Sequence, residues 1–242
     1  RESGEGVVYA YRRPVKKFEF LDREKLELVS RGHDPWTVGN RREARRESEG
    51  RSFPFKRTNP KGIAGSHTGA AIWWEDGEFE VLGSAFTEGR YKHPPEDFFA
   101  ETVDAQGGAT SVFVMRTGGQ FRSWNYLEGK EGEFSDVQGL VDFEAGREHV
   151  ILRWADGSVK VRGINGDAGH SRTFPKSEIP KALTVRAGQH MSAVQKQDET
   201  WLAWGPSQQV VDAVENAGAA TDLDVFAQSD EGYVIWIEPE AP

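Results

Sequence analysis

The residues of this 242-residue chain best suited to chemistry are six histidines, His33, His67, His93, His149, His170 and His190. A neutral imidazole is both a general base and a zinc ligand. Three of them, His67, His149 and His190, fall in or beside small-residue turns that recur along the chain. Brought together, three such rings would hold a metal. They occupy different positions within their turns, however, and a histidine that bonds its own turn's backbone accounts for each more simply, so no metal is expected. Paired carboxylates such as Glu75-Asp76 would suit acid-base work, but they sit in a solvated hairpin turn. The Gly-x-Ser-x-Gly elbow, the His-Glu-x-x-His pair, the Walker loop and the EF-hand loop are all absent. With no cysteine there is no disulfide, thiolate nucleophile or Cys-ligated zinc. The sequence predicts a non-catalytic protein with no cofactor.

The elements that carry these turns repeat. Gapless frames beginning at Lys61, Val103, Val141, Leu183 and Leu223 bring Gly65-Ser66, Gly107-Gly108, Ala145-Gly146, Ala187-Gly188 and Ala227-Gln228 into register. A second turn aligns at Asp76-Gly77, Gly118-Gly119, Asp156-Gly157 and, in degenerate form, Asp198-Glu199. Trp74, Trp154 and Trp236 share one position, which predicts core. A weaker frame starts at Asp34, with Val38-Gly39 at the first turn and the strand Arg51–Phe55 after the second. Glycine supplies the positive φ of a hairpin turn, and runs such as Val159-Lys160-Val161-Arg162 alternate as half-buried strands do.

Units of about 40 residues are the size of propeller blades. The expected fold is all-β, a single β-propeller domain over residues 1–242 with about six blades, and a seventh fits only in the irregular stretch 12–33. Sustained helical periodicity is absent, apart from one candidate at Ser207–Asn216. The last frame lacks a third strand, and the N-terminal EGVVYAYR supplies one. Val7–Tyr11 is therefore expected to pair with Tyr233–Ile237 and complete that blade from both chain ends.

The turn and strand motifs resemble the repeats of the regulator-of-chromosome-condensation superfamily. RAGQHMSAVQKQDETWLAWG (Arg186–Gly205) and IAGSHTGAAIWWEDGEFEVLG (Ile63–Gly83) carry the likeness. They are most similar to the bacterial branch that includes β-lactamase inhibitory protein II. The resemblance spans roughly residues 34–242 plus the N-terminal strand and implies a propeller. The family usually has seven blades, and its Gly-rich Trp-Gly segment is missing here, since Trp204-Gly205 runs into PSQQ. No nucleotide-exchange residue carries over.

In a propeller, equivalent turn positions form a ring around one mouth of the axis. The frames put Asn40 and Arg41, His67 and Thr68, Thr110, Arg147, Glu148 and His149, Gln189 and His190, and Asp230 on that ring. Its chemistry changes from blade to blade, which suits an asymmetric protein partner held on a rigid scaffold. Longer loops around 84–100, 124–139 and 163–180 would extend the surface. Of the tryptophans, Trp73 and Trp124 are the better candidates for a protein hot spot or a platform for sugar, although packing accounts for either one more simply. No aromatic-plus-acid set repeats in every frame, which argues against a lectin with identical pockets.

Net charge is −9, unevenly spread. Residues 1–62 hold 16 Lys/Arg against 10 Asp/Glu, and the remainder holds 14 against 29. The basic run Asn40–Arg57 is interrupted by Glu43, Glu47 and Glu49. It is expected to lie against the acidic remainder rather than bind nucleic acid. No apolar run approaches the roughly 18 residues of a membrane span. The start, RESGEGVV, has neither Met nor a signal-peptide pattern, which predicts a soluble excised domain or processed product.

Overall fold

The computed structural model describes residues 7–9, 26–29, 36–39, 43–46, 51–67, 69–132, 137–147, 149–163, 179–188, 190–205, 208–216, 222–228 and 232–238. Period-2 alternation broken by Gly-containing turns folds these into several small antiparallel sheets. After β1 (Val7–Tyr9) comes a sheet of β2 (Leu26–Val29), β3 (Trp36–Gly39), β4 (Glu43–Arg46) and β5 (Arg51–Pro54). The next contains β6 (Gly62–Gly65), β7 (Ala70–Trp73) and β8 (Phe79–Leu82), followed by the short helix α1 (Ser84–Thr87). A four-stranded sheet then joins β9 (Thr102–Gly107), β10 (Ser111–Arg116), β11 (Gln120–Asn125) and β12 (Lys130–Glu131). Two three-stranded sheets follow, β13 (Leu140–Ala145), β14 (His149–Trp154) and β15 (Val159–Gly163), then β16 (Ala182–Ala187), β17 (Ser192–Lys196) and β18 (Trp201–Trp204). Helix α2 (Gln208–Glu215) occupies the one expected helical segment. The chain ends in β19 (Asp222–Gln228) and β20 (Gly232–Glu238), and β20 pairs on its other side with β1. The register of that pairing is Val7 to Ile235, Val8 to Val234 and Tyr9 to Tyr233. Ala10 and Tyr11 lie outside the described residues.

The sheets stack face to face, because alternate residues of each middle strand serve opposite neighbours. On β7, Ala70 and Ile72, with Trp74 beyond them, pack with Val38, Ala44 and Phe55 of the preceding unit. Ala71 and Trp73 pack with Ala105, Val112, Val114 and Trp124 of the following one. Phe113 and Phe121 meet Phe143, Val150 and Leu152 at the next seam, and Ile151 meets Val185 and Val194 at the one after. First strands run beside first strands, β6 by β9, β13 by β16, β16 by β19.

The shared tryptophan position does one job wherever it is described. The Trp74 indole N–H donates to the Thr58 carbonyl at 2.9 Å, and Trp154 donates to the Gln138 carbonyl at 3.0 Å, each sixteen residues upstream. Both rings are packed into seams. The aspartate of the second turn accepts a backbone N–H two residues on, Glu78 to Asp76, Ser158 to Asp156 and Thr200 to Asp198. Hydrogen bonds from Arg57, Ser158 and Thr200 respectively hold these three carboxyls below the usual carboxylate range. The positive φ persists where glycine does not: Gly157 has φ 82° and Glu199, at the next position, 64°.

Two features depart from the expected pattern. Pairing of first to second strands slips by a residue, between Leu26 and Leu28, Thr102 and Asp104, Leu140 and Asp142, and Ala182 and Thr184. These β-bulges leave Val103, Val141 and Leu183 exposed at 55%, 43% and 40%. The slip in β2 gives the 26–54 sheet the same bulge, on a strand that precedes the Asp34 frame.

Gly118 and Gly119 separate two costs of a side chain. Both have positive φ, 81° and 73°, but a Cβ on Gly118 meets nothing whereas one on Gly119 would lie 2.8 Å from the Leu140 carbonyl oxygen. Gly118→Ala is expected to cost about 1 kcal/mol and Gly119→Ala about 3 kcal/mol in urea unfolding, since the second adds a seam clash to the backbone strain.

Candidate functional site

The four first turns that are described share one construction. Each is closed by a backbone bond spanning three residues: Ser66 to Gly69 (2.7 Å), Gly108 to Ser111 (2.8 Å), Gly146 to His149 (2.9 Å) and Gly188 to Met191 (2.9 Å). The turns are also tied to one another. His67 N–H donates to the Ala109 carbonyl at 3.3 Å, and Ala109 N–H donates to Arg147 at 2.8 Å. From β13 onward the link is a side chain: His149 Nε2 lies 3.2 Å from the Met191 carbonyl and 2.9 Å from Ser192 Oγ. A carbonyl can only accept, so the proton sits on Nε2.

This chain of contacts requires backbones to touch. A Cβ on Gly107 would lie 1.8 Å from the Gly65 carbonyl oxygen, and one on Gly146 would lie 2.5 Å from that of Gly188. Beneath the turns, the buried Gln106 amide stands in for a missing strand ladder. It donates to Phe143 O at 2.8 Å and accepts from Ala145 N–H at 2.9 Å on the neighbouring first strand. Its counterparts in the next two frames are Glu144, which is buried, and Arg186, which is half-buried. Arg186 donates to Thr184 Oγ1, and Thr184 in turn donates to Asp142 Oδ2, which also accepts from Arg153. None of these was singled out from sequence. The available signal was a polar residue at the strand position that Ala64 and Phe226 fill with apolar groups.

His67, Thr110, Arg147 and His190 thus lie on successive turns at one end of the sheets, with His67 exposed and the other three half-buried. His149 is different: at 2% exposure it is part of the seam. Thr68, Glu148, Gln189 and Asp230, like Asn40 and Arg41, lie outside the described residues. Trp73 and Trp124 are not surface groups. They are 4% and 9% exposed, Trp73 stacked on Phe99 and Trp124 donating to the Lys92 carbonyl. Loop 84–100 is likewise turned inward by Phe86, Tyr91, Phe98 and Phe99, all buried in one seam. Arg116 and Arg122 fasten it, through the Asp97 and Phe98 carbonyls and the Asp97 carboxylate. At the end of the basic N-terminal region, Arg57 binds Asp76 and Glu78 while Lys61 binds Glu75.

Small antiparallel sheets, stacked face to face with first strands side by side, are the arrangement of a β-propeller. The chain is similar to Prp20p, the RCC1 of Saccharomyces cerevisiae, with a TM-score of 0.57 and 14% identity over 86% of this chain and 67% of that one. It is also similar to the ectodomain of the receptor kinase CR4 from Physcomitrella patens (0.61, 12% identity, 98% and 66%) and to human WBSCR16 (0.59, 8%, 99% and 100%). The chain thus spans about two thirds of the yeast and moss chains. Prp20p binds Gsp1p and histones, and Kap60 has been captured bound to it. No family model and no curated protein sequence matches. Likeness at this level of identity establishes the fold and leaves activity to the site itself. Among the described residues no helix is long and apolar enough to cross a membrane.

Gln106 and His67 separate strut from surface. Gln106→Leu leaves a buried carbonyl and a buried N–H without partners and is expected to cost about 2–3 kcal/mol in denaturant unfolding. His67→Ala, on an exposed side chain, is expected to cost no more than about 0.5 kcal/mol.

Proposed function

We propose that residues 1–242 form a single propeller of six blades, closed where β1 completes the sheet of β19 and β20, and that it is a non-catalytic binding module for another protein. The observation that carries the functional reading is the row of first turns. They are bonded from one blade to the next, by backbone or by the His149 ring, while the side chains they present, His67, Thr110, Arg147 and His190, are not alike at every turn. A rigid frame whose polar groups vary suits one asymmetric partner rather than several identical small ligands. Thr68, Glu148, Gln189 and Asp230 complete the contact set by their place in the repeat. The loops around 124–139 and 163–180 extend it, with the exposed part of 84–100. Protein binding by Prp20p is consistent with this use of the fold. The bacterial-branch resemblance rests on the Arg186–Gly205 and Ile63–Gly83 motifs alone.

A second reading has one local feature in its favour. A shallow open groove is lined by Trp154, Asp156, Ser158, Val159 and Lys160, an aromatic edge beside polar groups of the kind that holds a sugar. Asp156 already accepts from Ser158 there, which weakens it as a sugar acceptor.

Affinity capture with the wild type beside a His67→Ala/Arg147→Ala/His190→Ala variant of equal thermal stability decides between these sites. A protein retained by the wild type and reduced at least about tenfold on the variant is expected, each substitution removing a fraction of a contact worth about 1–2 kcal/mol. Equal retention by both moves the site away from the turns. No retained protein, with binding on a glycan array abolished by Trp154→Ala, establishes the sugar reading instead.

A further inference from the structure

We infer that His149 is an acid-sensitive latch between two neighbouring sheets, closed when its imidazole is neutral and released when it is protonated. The ring is buried at the junction of the 140–163 and 182–204 sheets. Its Nε2–H reaches across the seam to the Met191 carbonyl, with Ser192 Oγ as a second acceptor. Its other edge lies against Gly146, where a Cβ would be 2.1 Å from Cε1 and 2.6 Å from Nδ1, so only glycine leaves room for the ring. A second proton would go on Nδ1, the nitrogen packed against that glycine.

The charged groups near the ring are of both signs. Glu144 and Arg147 belong to the sheet of His149 itself, Arg162 follows on β15, and His190 and Arg186 lie on the sheet across the seam. Glu144 lies opposite Ile151 and away from the preceding seam of Phe143 and Ala145, so it shares the face that His149 uses. Burial pushes the His149 pKa from 6.5 down to about 4, against a smaller upward pull from the Met191 carbonyl and with a further lowering by His190. The sign follows from linkage: the opened state takes up the proton near 6.5 and the closed state only near 4. Closure is therefore full above 6.5, weakens as pH falls through that value, and stops changing below about 4. At pH 5.5 the closed-to-open ratio is expected to be about tenfold lower than at pH 7.5. The two turns the latch joins also carry Arg147 and His190, so acid would loosen the proposed partner face, but the latch is independent of that reading and is tested without a partner.

Amide hydrogen exchange on the whole chain, corrected for intrinsic rates at pH 7.5 and 5.5, reads it directly. Protection of residues 145–150 and 187–193 is expected to drop about tenfold at the lower pH while the 62–82 sheet is unchanged. In His149→Gln, whose amide donates without titrating, the drop is expected to vanish. The same drop in His149→Gln, or an equal loss across all sheets, overturns the latch. Should that variant not fold, the wild-type ring followed by NMR decides: ionisation near 4 to 5 supports the latch, and ionisation at the ordinary 6.5 overturns it.

Discussion

The molecule depends on backbones being allowed to touch where neighbouring first strands meet. Gly107 lies on Gly65 and Gly146 on Gly188 at distances that exclude any side chain. Amides and carbonyls of successive turns then bond directly, from His67 to Ala109 to Arg147. First strands brought this close do not bond to each other as a continuous sheet. Their buried polar groups are met instead by side chains such as Gln106, which supplies one donor and one acceptor where a strand would have supplied both. A different spacing of the first strands would unmake these bonds and open the seams beside them, because the seams share the same sheets.

Away from the centre the repeat is enforced by devices that tolerate change. The hairpin aspartate and the seam tryptophan recur with the same partners, and where one is lost the geometry persists. Glu199 keeps the left-handed backbone that glycine holds elsewhere, with Asp198 still bonding Thr200. Backbone bonds set the turns, so the side chains that follow vary from one turn to the next. His67, Thr110 and Arg147 can therefore differ without disturbing the frame. His149 is the exception, since its ring replaces the backbone link at its own seam.

The candidate site was partly legible for this reason. His67, Thr110, Arg147 and His190 each follow a turn motif that marks a strand end, since local turn chemistry is written in a few adjacent residues. It did not distinguish the buried His149 from the exposed His67, because burial depends on which sheet lies across the seam. Nor did it separate Trp73 and Trp124, the surface candidates, from the other packed tryptophans, for the same cause. Each sits on a strand face that packs against a neighbouring sheet, and local alternation does not say which faces will be covered.

The sequence by itself determined the all-β class, the turns, the helix near 208–215 and the pairing of the N-terminal strand with Gly232–Glu238. All of these follow from short-range patterns of glycine, alternation and missing pieces in a repeat. The strand Leu26–Val29 escaped that logic, since a bulge and not a turn motif marks it. Only the tertiary structure decided how close the first strands come, which polar groups bridge them, and that Val103, Val141 and Leu183 turn outward. Those outcomes depend on contacts between residues about 40 positions apart in the chain, and no local pattern records such a distance.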